Sequence, residues 1–186
     1  MLILNSKIAK TPVMGLQTGS QLAVIGEPVI NPANLQIIAY SLENNSYSND
    51  EMFIRIDEIR ELSRLGFIID SGEDFILPND VIKIKDILDL DFHLIGMKVV
   101  DEKNNHIGKV VDFTMSLLNF SVQQIIIKRP FFKSINNPEL TIHRSQITKI
   151  DDEKITIYSE TEEKIISTTK KSDNYFVPNY TNPFRN

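Results

Sequence analysis

The chain has 186 residues, of which 41% are hydrophobic and 24% charged, with 7 Gly, 8 Pro, no Cys and a formal net charge of −5. This composition excludes a collagen-like or wholly disordered chain, and it leaves room for one domain or two small ones. Without cysteine there are no disulfides, thiolate metal sites or cysteine nucleophiles, and no apolar run approaches the roughly 18 to 20 residues of a membrane-spanning helix.

Met1-Leu2-Ile3-Leu4-Asn5-Ser6-Lys7 lacks the basic start, apolar stretch and small-residue cleavage site of a secretory signal, so a cytoplasmic location is expected. The charge is uneven: −6 over 1–90, −1 over 91–167 and +2 over 168–186. An acidic N-terminal half repels a phosphate backbone, and no DNA partner is expected.

Along the chain the sequence repeats. Leu22, Ile25, Asn34, Ile37, Tyr40 and Leu42 recur 85 residues later as Ile107, Val110, Asn119, Val122, Ile125 and Ile127, without a gap. Thr11–Met14 matches Met97–Val100 at an offset of 86, and Phe53–Ile59 matches Thr141–Ile147 at 88, followed by Phe67 and Ile69 against Ile155 and Ile157. The offset changes only where polar turns intervene, which is where slippage is tolerated.

Within each repeat the hydrophobic period is two or continuous. Val122–Ile127 and Lys154–Tyr158 are rich in β-branched residues and bounded by Asn119, Pro130 and Asp151-Asp152, so they read as strands. Asn104-Asn105 has the chemistry of a tight hairpin turn. Asp57-Glu58-Ile59 and Ser145-Gln146-Ile147 each suit one short helical turn between the last two strands. Between the repeats, Pro78–Leu88 opens with proline and an acidic first turn and reads as a linker helix. Short strands with frequent turns point to a small barrel or sandwich in each repeat, with Ile107, Val110, Val122, Ile125, Ile147 and Ile155 in the core.

Candidate chemistry is sparse. His93, His106 and His143 lack metal-helix spacing, and the acidic clusters Ser71–Asp74 and Asp151–Glu153 do not continue into a calcium-loop pattern. Nucleophile-elbow, P-loop and dinucleotide motifs are absent. No catalytic, cofactor or metal site is expected, and the protein is read as a non-enzyme. Lys128-Arg129-Pro130-Phe131-Phe132-Lys133-Ser134 stands apart, because Pro130 should take the chain out of the sheet and leave two rings flanked by three cations. Either the rings fold back over the end of a barrel, or Lys128, Arg129, Phe131, Phe132 and Lys133 form a contact surface for protein or structured RNA. The tail 167–186 is polar, Asn-rich and expected to be disordered alone; Tyr175, Phe176, Tyr180 and Phe184 leave open either a binding motif or a nonspecific end.

Leu94–Val99, then His106-Ile107-Gly108-Lys109-Val110-Val111-Asp112, then Ile142–Ile147, resemble the PRC-barrel domain. That domain is named for the photosynthetic reaction-centre H subunit and also forms the C-terminal domain of the bacterial ribosome-maturation factor RimM. The resemblance covers about 8–70 and 93–160; the first copy departs from it at Ala23 and Val24, which stand at the positions of Gly108 and Lys109. The two-copy arrangement is also similar to that of bacterial tandem PRC-barrel proteins. It implies a mainly all-β chain of two tandem small PRC-like β-barrels joined by a short helical linker: 1–70, linker 71–92, 93–166, and a flexible tail 167–186. It further implies a non-enzymatic adaptor that binds protein partners. The alternative is an RNA- or ribosomal-particle-binding factor in ribosome maturation, against which stands the lack of any counterpart to the maturation factor's N-terminal domain.

Overall fold

Alternating burial identifies the strands directly. In Lys154–Ile157 the side chains of Ile155 and Ile157 point inward and are essentially fully buried, while Lys154 and Thr156 face out, as a half-buried strand requires. The computed structural model describes residues 1–45, 48, 50–130 and 138–158. The first half contains β1 (Leu2–Leu4), α1 (Asn5–Ile8), β2 (Pro12–Gly15), β3 (Ser20–Asn31), β4 (Gln36–Glu43), β5 (Met52–Arg55), β6 (Glu61–Ser63), β7 (Gly66–Ile69) and β8 (Phe75–Ile76). After α2 (Ile82–Leu88) come β9 (Lys98–Asp101), β10 (His106–Ser116), β11 (Ser121–Lys128), β12 (Glu139–His143), β13 (Ile147–Ile150) and β14 (Lys154–Ile157).

The strand pairing follows one scheme twice. β2 pairs antiparallel with β3 and parallel with β7 through Val13↔Phe67; β9 pairs antiparallel with β10 and parallel with β14 through Val99↔Ile155. Ile25↔Leu42, Pro28↔Tyr40 and Ile30↔Ile37 in β3–β4 return as Val110↔Ile127, Phe113↔Ile125 and Met115↔Val122 in β10–β11. Even the bulges coincide, after Ile25 and Val29 in one half and after Val110 and Thr114 in the other. Pro28 sits at its bulge, where a residue without an N–H is tolerated. Leu35 and Phe120, in equivalent turns, both take left-handed backbone angles (φ 56° and 48°).

The strands of both halves, fourteen in all, lie in one sheet, with a main path β13-β14-β9-β10-β11-β4-β3-β2-β7-β6 that does not close on itself. The reason lies in the starts of β4 and β11. β5 covers β4 only over Ala39–Leu42, and β12 covers β11 only over Gln124–Lys128, so each long strand leaves unpaired backbone groups at its beginning. These satisfy one another: Gln36 pairs with Ser121, the Ile37 N–H donates to the Phe120 carbonyl (2.8 Å), and the Val122 N–H donates to that of Leu35 (2.9 Å). Since residues 36 and 121 are counterparts, this junction is locally two-fold.

Arms cross the junction. β1 leaves the first half and pairs with β10 through Leu2↔Ser116, Ile3↔Met115 and Leu4↔Thr114, whereas α2 lies on β3 with Ile84 buried beside Val29, Ala39 and Phe53. The main core runs through both halves, from Ile8 and Val13 to Ile155 and Ile157, and Tyr40 reaches across to Met115. Of the six residues expected in the core, Ile107, Val110, Val122, Ile125 and Ile155 are buried and Ile147 is half-buried at the rim.

Two local expectations change in detail. The helix starts at Ile82 rather than Pro78, because the Asp80 carboxylate accepts from the Leu77 N–H (2.7 Å) and closes a separate turn first. Short 3₁₀ turns at Ile56–Glu58 and Arg144–Gln146 stand where they were expected, but the second is capped by His143, whose Nδ1 accepts from the Ser145 N–H while Gln146 Oε1 accepts from the His143 N–H.

Candidate partner-binding face

Lys128 closes β11 and is exposed; Arg129 is half-buried, with its N–H donating to the Pro138 carbonyl (2.9 Å) as the chain leaves the sheet at Pro130. Phe131, Phe132 and Lys133 lie outside the described residues, as does the tail 167–186. The structure thus places two of the five candidate side chains.

What the strand register adds is a row of lysines. Lys154 pairs with Lys98, Lys98 with Lys109, and Lys109 with Lys128, across the four neighbouring strands β14, β9, β10 and β11. The next residues along these strands, Ile155, Val99, Gly108, Val110 and Ile127, are buried, so the lysines share the outward face. Three strand-to-strand steps of about 4.8 Å give the row a length of about 14 Å. Lys154 Nζ donates to Asn104 Oδ1 (2.8 Å). Lys98, Lys109 and Lys128 are exposed and make no ion pair among the described residues.

Gly108 brings the middle of this row together. A Cβ there would lie 2.4 Å from the Lys128 carbonyl oxygen, so only glycine lets β10 pass this close to the end of β11. Carboxylates bound the row on both sides. Glu139 stands opposite Lys128, and beyond Lys154 the Asp151 carboxylate accepts from the Lys154 N–H (2.9 Å). Burial raises the Asp151 pKa, but N–H donors from Lys154 and Glu153 and the charges of Lys149 and Lys154 outweigh it and hold the group below its ordinary value. Asp101 organises the adjacent hairpin in the same way, accepting from the Lys103 and Asn105 N–H groups with Asn104 at φ 65°; its carboxyl is likewise held low against the burial that opposes it.

The first half has no equivalent row. Its counterparts are Gly66, Pro12, Val24 and Glu43, and Glu43 is already paired with Lys10. Sequence reading missed Lys98, Lys109 and Lys154 because they are scattered along the chain and meet only through strand register. The available signal was their shared absence from the first repeat.

A second polar feature, a cleft of about 300 Å³ between Pro32–Leu35 and Arg144–Ile150, is tied to the junction. Its Arg144 guanidinium donates to the carbonyls of Val122 (3.3 Å) and Asn34 (2.9 Å), bridging the halves. Among the described residues no three His, Asp or Glu side chains converge as metal ligands, and no helix is long and apolar enough to cross a membrane.

No curated protein matches the chain significantly. Residues 88–164, which hold β9 to β14 and the whole lysine row, match the PRC-barrel domain, a fold of protein interaction and assembly.

Proposed function

We propose that the protein is a non-enzymatic cytoplasmic adaptor or assembly factor made of two tandem PRC-like units, of which the second engages a protein partner. The observation that carries this reading is that the segment matching the PRC-barrel domain is also the one with an outward row of lysines, ending at Lys128. The doubled register, bulge for bulge, supports an internal duplication. Lys128 and Arg129, with Phe131, Phe132 and Lys133, are assigned to the contact surface, where rings supply anchoring area and cations steer an acidic partner.

The test is affinity capture with the intact protein from its native cells, beside a Phe131→Ala/Phe132→Ala variant of matched thermal stability. Recovery of a defined protein that the variant loses supports the reading. Equal recovery by both removes the loop from the contact, and no specific recovery by either refutes the adaptor. The lysine row also favours a second reading, an RNA or ribosomal-particle partner; recovery that is abolished by ribonuclease and falls steeply with salt would select it.

A further inference from the structure

Resting on the reading of residues 88–164 as a protein-binding unit, we propose that Lys154, Lys98, Lys109 and Lys128 form the docking site for a short acidic segment of a partner protein, laid across the strands in extended form. Like charges placed directly opposite on neighbouring strands disfavour the sheet, and here three such pairs follow one another. Among the described residues no carboxylate stands opposite Lys98 or Lys109, and Glu139 alone stands opposite Lys128, so a bound anion relieves repulsion as well as gaining contacts.

The length of the row specifies the ligand. Alternate residues of an extended chain lie about 6.6 Å apart, so carboxylates at three successive alternate positions span about 13 Å, close to the row's length of about 14 Å. Its ends exclude longer polyanions. Glu139 stands opposite Lys128, and at the other end the Asp151 carboxylate accepts from the Lys154 N–H, so a nucleic-acid strand or an anionic lipid surface would meet a carboxylate at both ends. The row itself contains no aromatic side chain on which a base could stack.

The probe is a fluorescein-labelled octapeptide with Glu at three alternate central positions and Thr elsewhere, titrated by anisotropy with the full chain at low and moderate salt. A uridine dodecamer and vesicles of phosphatidylserine with phosphatidylcholine are titrated alongside. Lys98→Ser/Lys109→Ser/Lys128→Ser removes three exposed charges; Lys7→Ser/Lys83→Ser/Lys85→Ser removes three exposed charges elsewhere and controls for net charge. Circular dichroism checks that both variants remain folded. The row variant should weaken octapeptide binding by roughly tenfold or more, and the control by no more than about twofold. Equal losses in the two variants overturn the proposal, as does failure of the wild type to bind the octapeptide. Row-dependent binding of the dodecamer or the vesicles tighter than that of the octapeptide also overturns it, since the face would then serve a phosphate polymer or lipid. If the row variant loses the octapeptide but still captures the cellular partner undiminished, the acidic-segment proposal fails while the adaptor reading stands. If the octapeptide binds through the row but no protein is captured, the adaptor reading fails instead.

Discussion

Tyr40 offers a quantitative test of the shared core. Its ring is fully buried, 6.0 Å from that of Phe67, and its hydroxyl donates to the Met115 sulfur at 3.2 Å. A thioether is a weak acceptor, and burial pushes the phenol well above its ordinary pKa of 10.0. Folded Tyr40 therefore keeps its proton in a pH range where unfolded Tyr40 releases it. Stability linked to this group is fully present below the unfolded value and is lost as the pH rises through it toward the folded value. One unit above the unfolded pKa the loss is about 1.4 kcal/mol. At about pH 8, Tyr40→Phe should change stability by less than about 1 kcal/mol, because it deletes a poorly compensated hydroxyl. At about pH 11 the variant should gain about 1.4 kcal/mol on the wild type relative to that baseline, all other titrations cancelling in the difference. Urea unfolding of both proteins at the two pH values measures it. An unchanged difference between pH 8 and pH 11 would mean that Tyr40 reaches water and that the halves do not share a dry core there.

Ile125→Ala, the counterpart position in the second half, should cost about 2 to 4 kcal/mol in denaturant unfolding, since its side chain is fully buried; a loss below about half a kcal/mol would show that the strand face is wrongly assigned. Gly108→Ala should lower the thermal midpoint by several degrees, because the new Cβ must push away the Lys128 carbonyl, and an unchanged midpoint would refute the close approach of β10 and β11. Lys109→Thr should instead raise the denaturation midpoint at low salt, relieving repulsion from Lys98 and Lys128, with the gain shrinking as salt is added; a salt-independent effect would mean the three charges do not interact.

Strand identity, the doubled pattern and most of the second-half core were readable because they depend on local alternation and β-branched composition. Ile125 and Ile127 show this: they alternate with Gln124, Ile126 and Lys128, and both are fully buried. The joining of the halves was not readable. It depends on a single antiparallel pair between Gln36 and Ser121, two polar residues with no hydrophobic signal, at strand starts whose freedom follows from how far β5 and β12 extend. Likewise β1 was not assigned to the second half, since Leu2–Leu4 is too short for its periodicity to name a partner. The candidate site was half legible. Lys128 and Arg129 were conspicuous beside Pro130, while Lys98, Lys109 and Lys154 each look like an ordinary solvated lysine until register lines them up.

The repeat and the lysine row together separate what the fold needs from what it has added. Wherever counterparts face inward, as with Val13 and Val99, Ile25 and Val110, or Phe67 and Ile155, both halves keep a buried apolar side chain, because each must fill the same sheet face. The counterparts of the outward lysines diverge: Gly66, buried against Pro12, then Pro12, Val24 and Glu43 stand against Lys154, Lys98, Lys109 and Lys128. Four substitutions of one sign on one outward row, each disfavouring its neighbours, are not what solvation alone requires of a chain whose net charge is −5. The first half, with Glu43 held by Lys10 at the equivalent corner and α2 laid over β3, has its own outer surface partly covered and its charge locally paired. Its role is then to complete the shared core and fix the open sheet through the Gln36–Ser121 junction, while the second half presents the charged face. This division makes an unequal demand on mutation. Val24→Glu should leave partner recovery unchanged, whereas Lys109→Glu, at the counterpart position, should abolish it with the fold intact, and equal tolerance at both sites would dissolve the distinction between the halves.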